Sequence, residues 1–231
     1  MGYIIYEGPS EYDGSNIVVL VTDDSANPKT GKMYQTWIMP QDVAPHKAIK
    51  SGDDAAVCGK CPLRPSVYKQ NGLSKPCYVK TFQAPLNTWK KYKGMTKNQH
   101  IRMTPGEFRK ILQGKALRIG SWGDPSSVPM RIWNELGVGS GEFRHTAYTH
   151  GHLMPNFDKR LLDIAMISLD KATPVIPDGL KARSFRVVAS VQDIRPDEIL
   201  CPAEKGKTTC LKCGLCAGNS RKAKNIVVVE H

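Results

Sequence analysis

The sequence predicts an α/β protein built on a mostly parallel sheet. Three observations carry this expectation. The chain has 231 residues, enough for one large domain or a domain with a small appendage. Forty per cent of the residues are hydrophobic, enough for a real core. From residue 104 onward, strand-like and helix-like segments alternate with short links, the pattern of a parallel sheet that is open or rolled into a partial or small TIM-like barrel.

The elements follow in order. IVVLVT (17–22) and MYQTWIM (33–39) read as strands, rich in β-branched and aromatic residues. DDSANPKTGK between them is turn chemistry. It lacks the leading glycine of a phosphate loop, and Met33 stands where that loop needs Ser or Thr, so no nucleoside triphosphate site is expected. Residues 40–80 hold Pro, Gly and three cysteines and read as irregular, with a metal as a candidate staple.

Thr104-Pro105-Gly106-Glu107 opens a helix with a cap, a proline at the first position and an acid at the third, and Gly114 closes it. ALRIGSW (116–122) reads as a strand and SVPMRIWNEL (127–136) as an amphipathic helix. RHTAYT (144–149) is a strand, and NFDKRLLDI (156–164) is helical with Asn156 as its cap. AMISLD (165–170), SFRVVAS (184–190) and NIVVVE (225–230) complete the strands. This divides the chain into an N-terminal strand and loop region (1–103), an α/β core (104–200) and a cysteine-rich tail (201–231) that completes the core.

In such sheets the ligand faces the C-terminal strand ends. Ser121, Trp122, Asp124, Tyr148, Thr149, His150, Ser168 and Asp170 fall there. Asp124 and Asp170 are candidate catalytic acids, since two carboxylates can divide the work of nucleophile and general acid/base. As plain structure they would be helix caps or turn formers.

Four of the seven cysteines lie in CPAEKGKTTCLKCGLCAG (201–218). Cys201, Cys210, Cys213 and Cys216, with His231, are candidate ligands for structural zinc or an iron–sulfur cluster. Cys58-x2-Cys61 and Cys77 form a second candidate metal site. His46 or His100 could complete it for zinc. Three thiolates alone could instead hold a cluster with one open iron.

The net charge is +12, which points to a polyanion, with nucleic acid as the default. Residues 80–118 carry ten Lys or Arg against the single acid Glu107. Trp89, Lys90, Lys91, Lys93 and Arg102 in this stretch are candidate DNA contacts, the cations for phosphates and the aromatics, Tyr92 included, for unpaired bases. A second basic cluster, Lys205, Lys207, Lys212, Arg221, Lys222 and Lys224, runs through the tail. No stretch approaches the roughly 20 apolar residues of a membrane span. The N-terminus MGYIIYEGPS lacks the pattern of a signal peptide, so a cytoplasmic protein is expected.

NPKTGKM, VCGKCPLR, PCYV, LRIGSWGDP, AYT, SLD, the CPA-x6-C-x2-C-x2-C tail and the closing VVVEH resemble a family of small phage and prophage proteins over nearly the whole chain. That resemblance implies a host-cytoplasm location. More distantly the chain is similar to the tRNA-guanine transglycosylases and their DNA-acting phage relatives. Those are α/β barrels with two strand-end catalytic acids and a zinc held by three Cys and one His. The resemblance implies exchange of guanine in DNA, or RNA, for a small 7-deazaguanine base. Asp124 and Asp170 would be the acids, and Cys210, Cys213, Cys216 and His231 the zinc ligands. The first cysteine spacing is two here and one in those enzymes. Cys77-Tyr78 is reminiscent of radical S-adenosylmethionine enzymes, which implies an iron–sulfur cofactor, although their Cys-x3-Cys-x2-Cys spacing is absent. A zinc-stapled DNA-binding protein without catalysis is the third expectation.

Overall fold

The computed structural model describes residues 1–23, 27–204 and 206–230. The strands are β1 (Gly2–Pro9), β2 (Asn16–Thr22), β3 (Tyr34–Pro40), β4 (Ile101–Arg102), β5 (Ala116–Trp122), β6 (Arg144–Thr149), β7 (Met166–Leu169), β8 (Ser184–Val188), β9 (Glu198–Leu200) and β10 (Asn225–Val229). The helices are α1 (Pro45–Ser51), α2 (Ala55–Cys58), α3 (Ala84–Tyr92), α4 (Pro105–Leu112), α5 (Met130–Leu136) and α6 (Cys210–Cys213).

Among the described residues, the ten strands join one sheet in the order β4-β1-β2-β3-β5-β6-β7-β8-β10-β9. β1, β2 and β3 are antiparallel neighbours, and the remaining pairings are parallel. The fold is therefore α/β with a mostly parallel sheet, as the alternating pattern predicts. β1 lies within a stretch the pattern reads only as strands and loops. Its apolar run, Tyr3 to Tyr6, is buried beside β2.

Ile17 to Val21 on β2 are all fully buried, so both faces of this strand are covered. An unbroken apolar run is what such a strand requires. α2 and α3 pack on β2 and β3, and α4 packs on β1 and α5. α4 begins as expected. Thr104 Oγ1 accepts the Glu107 N–H, and the Glu107 carboxylate accepts the Thr104 N–H. Asn156 does not cap a helix. The helical segment there is a 3-10 turn, Lys159–Asp163, whose cap is Asp158, and the Asn156 side chain instead donates to the Glu11 carbonyl. The turn forms late because Asp158 outcompetes Asn156 by accepting the Arg160 N–H at 3.0 Å.

His145 on β6 is only 5% exposed, and its Nε2–H donates to the Ile164 carbonyl at 3.0 Å. Burial pushes its pKa from 6.5 down to about 4, against the pull of that carbonyl. The folded state holds the ring neutral, while the unfolded chain takes up a proton near its ordinary value. This contribution to stability is full above pH 6.5 and is lost as the pH falls toward 4. The expected loss is about 3 kcal/mol over that window. Chemical denaturation at a series of pH values should find this slope in the wild type and not in His145→Gln.

Candidate active site at the strand C-terminal ends

β5, β6 and β7 run parallel, so their C-terminal ends share one edge. Asp124, His150 and Asp170 follow these three ends in turn. β3 ends on the same side, and the segment carrying Cys58, Cys61 and Cys77 returns to meet them.

Asp124 is the hub. Its Oδ1 accepts the Ser126 N–H at 2.9 Å and the Thr149 hydroxyl at 2.7 Å. Its Oδ2 accepts the His150 N–H at 2.7 Å. Its own N–H donates to the Val57 carbonyl at 2.6 Å, next to Cys58. Gly123 makes this possible. Its φ is +82°, and a Cβ there would sit 2.4 Å from the Ile38 carbonyl oxygen. Asp124 is thus both a cap and a brace, 8% exposed, with each oxygen already engaged.

His150 lies between two partners. Its Nδ1 is 3.4 Å from the Cys61 sulfur and its Nε2 is 3.4 Å from Asp170 Oδ2. Burial opposes a charge on this ring, but Cys61, Asp170 and Asp124 outweigh it and hold the pKa up at about 10. Burial by itself would raise Asp170. The His150 ring and the Thr173 and Ala172 N–H groups instead bring it below its ordinary range. The Asp170 Oδ1 accepts both of those N–H groups, at 3.0 and 2.8 Å.

The three cysteines gather on the same side. Burial pushes the Cys58 thiol well up, and Cys61, Asp54, Cys77 and Asp124 add to it. Burial likewise pushes Cys77 up to about 11, against a Val79 N–H and with Cys61 adding to the rise. The loop is held by Arg64. Its guanidinium donates to both oxygens of Asp54, at 3.0 and 2.7 Å, and to the Gly59 and Gly52 carbonyls. Asp54 is only 1% exposed. Tyr12 closes another side, its hydroxyl 2.5 Å from Ser126 Oγ. No sequence signal marks these residues, because Tyr12 meets Ser126 across 114 residues and the Asp54–Arg64 pair, 10 residues apart, lies in an irregular loop.

Several expected residues lie elsewhere or are already engaged. His100 packs against Gly2 and bonds to the Thr88 carbonyl, so His150 is the imidazole that reaches Cys61. Trp122 and Thr149 are buried, and the Ser121 hydroxyl donates to Gln35 Oε1. Tyr148 lies beside Cys216 rather than His150. Trp89 is buried, its Nε1–H donating to the Pro40 carbonyl, so its ring is not offered to a base. The Tyr92 hydroxyl donates to Glu7. Arg102 pairs with Glu7 and Lys93 with Asp42, while Lys90 and Lys91 stay exposed. His231 and Lys205 lie outside the described residues. Among the described residues, no three His, Cys, Asp or Glu side chains stand as placed around one point that could hold a metal ion. No known protein family, curated protein or solved structure matches the chain.

Two substitutions probe this construction. Asp124→Asn turns an amide toward the His150 or Thr149 donor and should cost about 2–3 kcal/mol. Asp54→Ala strands the Arg64 guanidinium and should cost about 3–5 kcal/mol. Urea unfolding measures both, and unchanged stability in Asp124→Asn would refute its bracing role.

Proposed function

We propose that this protein is a nucleic-acid-modifying enzyme whose reaction centre is the Cys58, Cys61, Cys77, His150 and Asp170 group. In this reading the three thiols, which do not surround one point as placed, would close on an iron–sulfur cluster. One observation carries it: the cysteine segment follows β3 and brings a thiol within 3.4 Å of His150 at the C-terminal edge of the parallel strands. β3, β5, β6, β7, β8 and β10 are neighbours in chain order, which suits an open partial barrel completed by a metal-stapled segment. Three thiols without a fourth suit a cluster that keeps one iron free. With S-adenosylmethionine such a cluster supplies one-electron chemistry at unactivated carbon. In this reading His150 and Asp170 form a hydrogen-bonded wall that orients the substrate and holds a proton at Nε2. The cluster's neighbours Tyr78 and Phe82, 75% and 62% exposed, offer rings to an unpaired base. The net charge of +12 and the exposed Lys90 and Lys91 favour a polyanion.

A second reading, exchange of guanine in DNA for a 7-deazaguanine base, is favoured by the pair of carboxylates flanking His150. It assigns the nucleophile to Asp170, whose Oδ2 meets His150, and leaves Asp124 as the brace. Asp170 would displace the guanine from the sugar carbon as the His150 ring gives the departing base a proton, and the incoming base would displace Asp170 and return a proton to His150.

Anaerobic purification followed by iron, sulfide and zinc analysis separates the two. The first reading expects Cys58→Ser, Cys61→Ser and Cys77→Ser each to lose one cluster's equivalent of iron and sulfide, with single-stranded DNA binding within twofold of wild type. A colourless protein without iron, whose base exchange into DNA is abolished by Asp170→Ala, would overturn it in favour of the second.

A further inference from the structure

The reaction centre leaves four cysteines unused. They lie in the connection from β9 to β10, and we infer that Cys201, Cys210, Cys213 and Cys216 form a separate, closed metal centre with four thiolate ligands. This inference stands independently of the reading of the reaction centre.

The local backbone is built for chelation. α6 is a single turn carrying Cys210 and Cys213, with the Cys213 N–H on the Thr209 carbonyl at 2.8 Å. Gly214 ends it in the left-handed region, φ +59°, and its N–H returns to the Cys210 carbonyl at 3.0 Å. Cys216 follows two residues later on the buried side. Cys201 comes from the end of β9, where its N–H donates to the Val227 carbonyl and its carbonyl accepts the Glu204 N–H. Cys201 and Cys216 pack in one cluster with Met166 and Ile226. Burial raises both the Cys210 and Cys216 thiols, and their neighbours add to the rise, Cys201 and Cys213 for Cys210, and Cys201, Cys210 and Cys213 for Cys216. The end of β9, the α6 turn and the residue two beyond Gly214 thus bring four thiols of one connection to the same side of the sheet. Cys201 supplies a fourth thiol from within the segment itself.

The backbone that carries the four thiols is fixed by hydrogen bonds of its own. Arg183 donates to the carbonyls of Leu215, Gly218, Ala223 and Lys224. Arg144 donates to the Lys212 carbonyl at 3.0 Å. The Cys210 and Leu211 N–H groups donate to the Lys29 and Thr30 carbonyls, and the Ala147 N–H to that of Cys216. Four thiolates around a metal carry net negative charge, and a cation is in place to offset it. Arg118 acts on Cys210 while donating to the Tyr78 hydroxyl at 2.6 Å. Tyr78 adjoins Cys77, so Arg118 joins the two cysteine groups. Zinc and an iron–sulfur cluster share this ligand chemistry.

The test uses the full chain, purified anaerobically, with native-state alkylation by iodoacetamide mapped by mass spectrometry. The expected result is that Cys201, Cys210, Cys213 and Cys216 alkylate at least tenfold more slowly before a chelator is added than after. Cys213→Ser should lose a stoichiometric metal and lower Tm, while Cys58→Ser keeps that metal. His231→Ala should also keep it. Zinc without sulfide identifies a single ion, iron with sulfide identifies a cluster, and either supports the inference. Equal alkylation with and without chelator, or unchanged metal in Cys213→Ser, would overturn it. Metal loss confined to Cys58→Ser would leave the reaction-centre reading intact and overturn this one.

Discussion

The edge of the sheet is organised by one carboxylate. Asp124 ties the end of β5 to the end of β6 through Thr149 and His150, and through its own N–H it holds the turn that leads into Cys58. A buried charge survives only when its lone pairs are met. Here the meeting groups are the ones that need placing. The position of His150 relative to Cys61 follows from this brace, since the His150 backbone is one of its donors. An acid that fixes its neighbours so fully has little freedom to react, which is why the chemistry is assigned around it.

Charge on the basic stretch is spent unevenly. Lys93, Arg102 and Arg109 each meet an acid, in Asp42, Glu7 and Glu142. These pairs join β4 to β1 and the ends of α3 and α4 to nearby loops, at modest energetic gain. The unpaired excess is carried by lysines such as Lys90 and Lys91. The aromatic rings on view lie in the cysteine loop, at Tyr78 and Phe82, and not among those lysines. Exposed cations and exposed rings therefore lie in different places, the rings nearer the thiols.

Much of the fold was legible because its signals are local. β5 and β6 begin and end where their residue patterns change, and the Thr104 box opens α4 on three residues of sequence. The strand-end positions of Asp124, His150 and Asp170 were legible too, because parallel strands put their C-terminal ends on one edge. What those residues do to one another was not. The His150 contact with Cys61 spans 89 residues, and its partner in zinc chemistry could as well have been His46 or His100 by spacing alone. Trp89 reads as an exposed ring among lysines, yet the Pro40 carbonyl and the core claim it. Local pattern reports what a residue is, and only the packed sheet reports what remains of it for solvent.

The cysteine segment is not an appendage. It leaves β9 at the sheet's edge and delivers β10 between β9 and β8, parallel to both. It therefore takes the part that a helix plays in other crossovers of this sheet. During synthesis β8 and β9 emerge before the strand that must lie between them. β9 meets β8 only through β10, which lies between them. Among the described residues β9 pairs only with β10, so this edge of the sheet is complete only once the cysteine segment has turned back.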